Sequence, residues 1–296
     1  MSHSHETSDS GKSITFGLVL NGVYTIIEFG FGILTGSLAL IADATHNLTD
    51  TVTLAVSFTA NKLAKRKADA QKTFGYGRAT IFAALLNSFI MLGIAGFIAY
   101  EAFQRFQNPH PVEGGIVAVV ALVGVAVNGS IAYMLSKHKK DLNMRSAFID
   151  MLFDALSSLG AVAAGVIIIL TGAYGIDSVI ALIIAALLTF NAAKILKEAI
   201  HILLEGSPSG IEVGDVTATI EGVKGVEGVD DLHLWSIRSG YIMLSCHVVV
   251  NTDNTKEGRT IVESIKERLE RVHDIAHATI EIEFEDTTKR ESHESH

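Results

Sequence analysis

Six stretches of mostly apolar residues recur along this 296-residue chain, at roughly Ile14 to Leu34, Ser37 to Leu63, Thr80 to Phe103, Gly115 to Leu135, Ser146 to Leu170 and Ile176 to Leu196. Each reaches the ~20 residues that a helix needs to cross a bilayer. Inside hydrocarbon no water satisfies backbone N–H and C=O groups, so a spanning segment has to bond within itself as a helix. Hydrophobic residues make up 49% of the chain and charged residues only 19%, where soluble domains carry about a quarter charged. The first stretch is too long and too poor in basic lead-in residues for a cleaved signal peptide. It also sets Asn21, Tyr24 and Glu28 on one face. The predicted class is an α-helical membrane protein with six transmembrane helices.

Lys and Arg counted in short loops orient such a chain, because basic loops stay in the cytoplasm. The loop after the second stretch holds Lys62, Lys65, Arg66, Lys67, Lys72 and Arg78, and the one after the fourth holds Lys137, Lys139, Lys140 and Arg145. The three other connections share a single Arg. Both termini are therefore expected in the cytoplasm. The expected location is the plasma (inner) membrane.

Past about Glu205 the pattern becomes that of a soluble domain, with "GSPSG" as the junction. Helical period in "IEVGDVTATIEGV", alternation in "VDDLHLWSIRS" and "YIMLSCHVVVN", a charged helix in "EGRTIVESIKERLERV" and a strand in "HATIEIEFE" predict a small α+β domain of order αββαβ. The expected division is a tail at 1–12, a transmembrane domain at 13–205, a cytoplasmic domain at 206–286 and a tail at 287–296. Both tails, "MSHSHE" and "ESHESH" among them, read as disordered and solvated, with scavenging of metal as the other reading. So short a domain has a thin core and gains from a partner or a bound metal. The net charge of −9 argues against nucleic acid as a partner. The lone Cys246 falls on the apolar face of its strand with Leu244, Val248 and Val250 and excludes a disulfide framework.

The second stretch is interrupted by "LIADATHNLTD", in which Asp43, His46 and Asp50 fall within about 60° of one another on a helix at 100° per residue. In the fifth, "FIDMLFDALSSLG" puts Asp150 and Asp154 one turn apart, with Ser157 on the same face. An ionised acid at mid-bilayer costs roughly 3 kcal/mol, so His46, Asp50, Asp150 and Asp154 together represent on the order of 10 kcal/mol that something must offset. Mutual hydrogen bonding between helices is one answer. HxxxD facing DxxxD is another, since i and i+4 side chains from two helices supply four ligands to one divalent cation. Asp43 reads as a support for those ligands or part of the ion path, as do Glu28 and Asn21. Asn87, Asn128 and Asp177 fit that role or plain interhelical bonding.

No GxxxxGK[ST] phosphate loop occurs, so nothing points to ATP hydrolysis and a gradient has to drive any transport. His and Asp bind metal only when deprotonated, which links metal arrival to proton departure. A channel would share the ligands but need no proton exchange, and a pure sensor would have no use for the buried cluster. HExxH is absent, against a metalloprotease.

The segments "SLALIADATHNLTD", "KTFGYGR", "DMLFDALSSLG", "HILLEGSP" and "DLHLWSIRSGYIMLSCHVVV" resemble those of the cation diffusion facilitator family, nearest its bacterial cobalt-zinc-cadmium exporters, from about Ile14 to Glu285. The resemblance implies a homodimeric metal/proton antiporter, not an enzyme, with no cofactor and a cytoplasmic domain like a metallochaperone. The metal, Zn²⁺ foremost with Cd²⁺, Co²⁺, Fe²⁺ or Mn²⁺ as other substrates, would sit on His46, Asp50, Asp150 and Asp154. Asp150 departs from the His usual there in the zinc exporters, which hardens the site toward oxygen-preferring ions. The loop "ADAQKTFGYGR" has no His, so an accessory ion site found there in some relatives is not expected, and Asp69 reads as a solvated loop charge. Residues matching the cytoplasmic zinc ligands of relatives are His233, His247 and Glu283, with His277 nearby; strand alternation puts His277 and Glu283 on one polar face with Glu281. A metal there would tie the strands together and act as a sensor.

Overall fold

The computed structural model describes residues 6–136, 142–238 and 240–284. Six long helices come first: α1 (Glu6–Thr35), α2 (Leu38–Ala64), α3 (Ala79–Gln107), α4 (Gly114–Ser136), α5 (Leu142–Thr171) and α6 (Gly175–Leu203). After them come α7 (Val213–Glu221), β1 (Val226–Arg238), β2 (Tyr241–Val250), α8 (Thr255–His273) and β3 (His277–Phe284). The αββαβ order expected past Glu205 is the order observed. α1 begins at Glu6, inside the stretch read as an N-terminal tail, whereas residues 1–5, Lys137 to Lys140 and the C-terminal tail lie outside the described residues.

Among the described residues four helices are long and apolar enough to cross a membrane: α3, α4, Ala147–Thr171 of α5, and α6. α1 adds a shorter apolar piece, Val19–Thr35. α2 is long enough, but the Asp, His, Asn and Thr residues between Asp43 and Thr53 dilute its hydropathy. Of the six long helices, the one with the lowest hydropathy is thus one of the two that carry the candidate ligands, supplying His46 and Asp50.

The chain divides into two compact units, Met1–Phe58 with Leu86–Ile195, and Thr59–Leu85 with Leu196–His296. In the first, Leu38 and Ala42 of α2 pack against Met91, Ala95 and Ile98 of α3 and Ala181, Ala185 and Leu188 of α6. Leu40 of α2 joins Val117 and Ala121 of α4 and Ala161 and Ile168 of α5. Small residues dominate these seams because helices in lipid gain from close backbone approach. The approach is tightest between α4 and α5, where a Cβ on Gly165 would stand 2.7 Å from both the Gly114 oxygen and the Ala118 nitrogen. Large apolar side chains such as Phe89, Phe97 and Phe103 of α3 and Phe190 of α6 point outward, an arrangement that suits lipid and would be a liability in water.

α2 begins on a double cap. The Ser37 hydroxyl accepts from Leu40 N–H at 3.2 Å, and the buried Asp177 carboxylate of α6 accepts from the Ser37 hydroxyl (2.5 Å), Leu38 N–H (2.6 Å) and Ala39 N–H (3.3 Å). These are orphan donors of a helix N-terminus, where negative charge is favoured. The structure therefore resolves the two readings of Asp177 as a helix cap. Asn87 is interhelical too, accepting from the Thr53 hydroxyl of α2.

In the second unit β1 pairs antiparallel with β2, and β2 parallel with β3, giving the order β1-β2-β3. The parallel pair needs a crossover, which α8 supplies. Leu244, Cys246, Val248 and Val250 of β2 form the core with Val216 and Ile220 of α7 and Ile261, Ile265 and Leu269 of α8. Cys246 is buried there as expected, and burial pushes its thiol pKa up to about 11, leaving it an unreactive core residue. Asn254 caps α8 by accepting from Lys256 N–H at 3.0 Å, and Asp274 ends it in the left-handed region at φ 57°. Asp69 is more than a loop charge: it accepts from Gln71 N–H, Lys72 N–H and the Tyr76 hydroxyl, and so organises the turn after α2. These hydrogen bonds, that from Tyr76 first, hold its carboxyl below the usual carboxylate range.

Candidate metal sites

The 3.6-residue period of α2 stacks His46 and Asp50 on one face, and that of α5 does the same for Asp150 and Asp154. The structure turns these faces toward one another. His46 Nε2 lies 3.6 Å from Asp154 Oδ1 and 3.7 Å from Asp50 Oδ2. A tetrahedron with metal–ligand bonds of roughly 2.0–2.2 Å has edges of roughly 3.3–3.6 Å, so two of its edges are nearly in place. Asp154 is buried and Asp50 exposed, which leaves one side of the cluster open. Asp150 is also exposed, one turn before Asp154, and acts electrostatically on both His46 and Asp50. Among the described residues no group of three or more His, Cys, Asp or Glu is yet closed into a metal-holding arrangement.

Asp43 is not part of that face in contact terms. Its two oxygens accept from the hydroxyls of Ser157 (2.6 Å) and Ser158 (2.9 Å) on α5, locking the α2–α5 register at the level of the cluster. Sequence reasoning put Ser157 on the ligand face but passed over Ser158; the small polar pair in "DALSSLG" was the available signal. Glu28 of α1 is fully buried, receives the Tyr24 hydroxyl at 2.8 Å and interacts with Asp43. Asn21 lies about two turns nearer the start of α1, its side-chain oxygen buried without a partner among the described residues.

In the soluble unit His247 is the hub. Its Nδ1 lies 2.7 Å from Glu283 Oε1, and its Nε2 lies 3.7 Å from Glu281 Oε2 and 4.0 Å from Asp231 Oδ2. Asp231 also meets His233 Nε2 at 3.0 Å. The Glu283 hydrogen bond is the main reason that the His247 pKa is raised. The predicted His233, His247 and Glu283 are thus linked around the central strand β2, with Glu281 and the unforeseen Asp231. Asp231 gets there through a register shift between Asp230 and His233, at φ 49°, which no periodicity shows. His277 stands opposite Met243, four register positions from the His247 and Glu281 pair, or about 13 Å along a strand.

Helices built to face lipid, a polar cluster inside them and a separate α+β unit define a multi-pass membrane protein with a soluble extension. The chain belongs to the cation efflux family: residues 14–204 match the cation efflux transmembrane domain, and 208–285 match the cation efflux protein cytoplasmic domain. Along 96% of its length it is 38% identical to the cadmium, cobalt and zinc/H(+)-K(+) antiporter of Bacillus subtilis, over 93% of that protein. It is 38% identical to the metal cation efflux system protein CzcD of Cupriavidus metallidurans, with coverage of 95% and 90%, and 31% identical to the zinc transporter ZitB of Escherichia coli, with coverage of 96% and 92%. Among solved structures, the metal-bound C-terminal domain of a CzcD transporter aligns with 25% of this chain and 99% of its own, at 33% identity and a TM-score of 0.23.

Proposed function

We propose that the chain exports divalent transition-metal cations, Zn²⁺ foremost with Cd²⁺ and Co²⁺, in exchange for protons, using His46, Asp50, Asp150 and Asp154 as the transport site. The observation that carries this is His46 Nε2 standing between Asp50 of its own helix and Asp154 of α5 at near-tetrahedral edge distances. The relatives are named for the same ions. His46 binds metal only as neutral imidazole and the acids only as carboxylates, so each ion that arrives displaces protons. With Asp50 and Asp150 on the open side and Asp154 buried, the ion is captured by the first two and then seated on His46 and Asp154. No bond of a substrate is made or broken, so the chain is a transporter and not an enzyme.

Residues 13–205 form the transport domain and residues 206–286 a cytoplasmic dimerisation domain, in a homodimer placed in the plasma (inner) membrane with both termini in the cytoplasm. The His247 edge is read as a regulatory metal site built from His233, His247 and Glu283, with Asp231 in reach and His277 outside it in this arrangement. The test is Zn²⁺ flux into proteoliposomes with a pH dye on the far side. Asp50→Ala and Asp154→Ala should each abolish Zn²⁺ flux and proton counterflow while the dimer persists. Wild-type rates in either variant would remove the site assignment, and Zn²⁺ flux without proton movement in the wild type would favour a channel.

A further inference from the structure

Between Thr59 and Leu85, where α2 ends and α3 begins, the chain carries six basic residues and one acid, Asp69, although the whole chain is acidic. Topology alone asks for basic residues next to membrane helices, but not for a groove beside them. Such a groove is present within the second compact unit, enclosing about 1090 Å³ between the turn after α2, the start of α3 and β1. Its apolar wall includes Phe74, Phe82, Leu232 and Trp235. Phe74 is 67% exposed, and Phe82, in the first turn of α3, is 57% exposed. The rim is cationic. Lys72 and Arg78 line it, and the Arg66 guanidinium sits 5.1 Å from the centre of the Tyr76 ring, which lines it too. Glu205 Oε1 accepts from Arg78 Nη2 at 2.9 Å, which leaves further donors on a five-donor guanidinium. The frame is fixed: Asp69 holds the turn through its three hydrogen bonds, and Gly77 leaves room for the Arg238 stem, since a Cβ there would stand 3.0 Å from Arg238 Cδ.

We infer that this groove holds one anionic glycerophospholipid from the leaflet in which α3 begins, with its phosphate between Lys72 and Arg78 and the root of an acyl chain against Phe74, Phe82 and Trp235. A negative headgroup with an apolar tail matches a cationic rim joined to an apolar wall, and Phe82 carries that wall onto a helix apolar enough to cross the membrane. Each Lys or Arg beside anionic lipid adds to binding, and a guanidinium fork suits phosphate oxygens. Free phosphate would leave the apolar wall uncovered, and a net-neutral phospholipid would leave the rim unmatched.

Trp235 is the only tryptophan in the chain, so its fluorescence reports on this groove. The full-length protein in detergent is titrated with phosphatidylglycerol brominated on its acyl chains, since bromine quenches tryptophan at contact range, and separately with brominated phosphatidylcholine. Phosphatidylglycerol should quench at the lower concentration and should lose that advantage as salt is raised. Lys72→Gln, at an exposed position, should raise the half-quenching concentration of phosphatidylglycerol about fivefold and leave that of phosphatidylcholine in place. Equal quenching by the two lipids overturns the inference, as does a phosphatidylglycerol curve that Lys72→Gln or salt leaves unmoved. Displacement of the lipid by glycerol phosphate alone also overturns it, because the groove would then be a site for free phosphate esters. So does the absence of quenching by either lipid, which would mean that protein covers the groove.

Discussion

Gly165→Ala offers a sharp check on the bundle that holds the ligands. On helix propensity alone the change should help, since Ala is favoured over Gly by roughly 1 kcal/mol in a helix interior. Packing opposes it. The new methyl would sit 2.7 Å from the Gly114 oxygen and the Ala118 nitrogen and 2.9 Å from Ala118 Cβ. All three belong to the backbone or to a Cβ of α4, so no flexible side chain can yield, and α4 and α5 must separate by roughly 1 Å to restore ordinary contact at 3.5–4.0 Å. Overpacking of this kind costs about 1–3 kcal/mol, so the net change should be a loss of on the order of 1 kcal/mol. Because α5 carries Asp150, Asp154 and the two serines that hold Asp43, Zn²⁺ transport should fall as well. Gly160→Ala, on the same helix, is the control: its Cβ would meet only Ile180 at 3.8 Å, an ordinary contact, so the propensity gain should survive. The assay is thermal unfolding of the detergent-purified protein followed by size exclusion. The expected order of Tm is Gly160→Ala at or above wild type, then Gly165→Ala lower by a few °C, about 2–4 °C per kcal/mol for a chain of this size. If Gly165→Ala melts at or above wild type with full transport, the close α4–α5 approach is refuted.

Three further outcomes are expected. Asp150→His replaces a carboxylate by an imidazole and should raise the ratio of Zn²⁺ to Mn²⁺ transport, with about tenfold for each 1.4 kcal/mol of ligand preference; an unchanged ranking of metals in competitive flux would take Asp150 out of the donor set. Asp177→Ala strips acceptors from the Ser37 hydroxyl and the Leu38 and Ala39 N–H groups and should cost about 2 kcal/mol, read as a lower Tm; a variant as stable as wild type would show that α2 is not capped this way. In metal-free protein, His247 should titrate above the ordinary 6.5 in an NMR pH series because Glu283 accepts its ring proton, and Glu283→Gln should lower that value. Its folded pKa being raised, the stabilisation is complete below pH 6.5 and is lost as pH rises through the folded value; a His247 titration unmoved by Glu283→Gln would break the pairing.

The sequence by itself determined the membrane class, the αββαβ order and the faces on which His46, Asp50, Asp150 and Asp154 lie. These are readable because hydropathy and the 3.6 and 2.0 periods are local properties of the chain, and because four ionisable groups within apolar stretches carry an energetic penalty that calls for an explanation. A period names the face of a helix but not the neighbour that face meets. Tertiary structure alone decided that Asp177 caps a helix some 140 residues away in the chain, at Ser37. It also decided that Asp43 is held by the hydroxyls of Ser157 and Ser158. Only the register shift in β1 brought Asp231 to His247, while the sheet register kept His277 distant. Polar groups in a low-dielectric interior must find partners. Which partners they find depends on helix crossings and strand registers set by long-range packing.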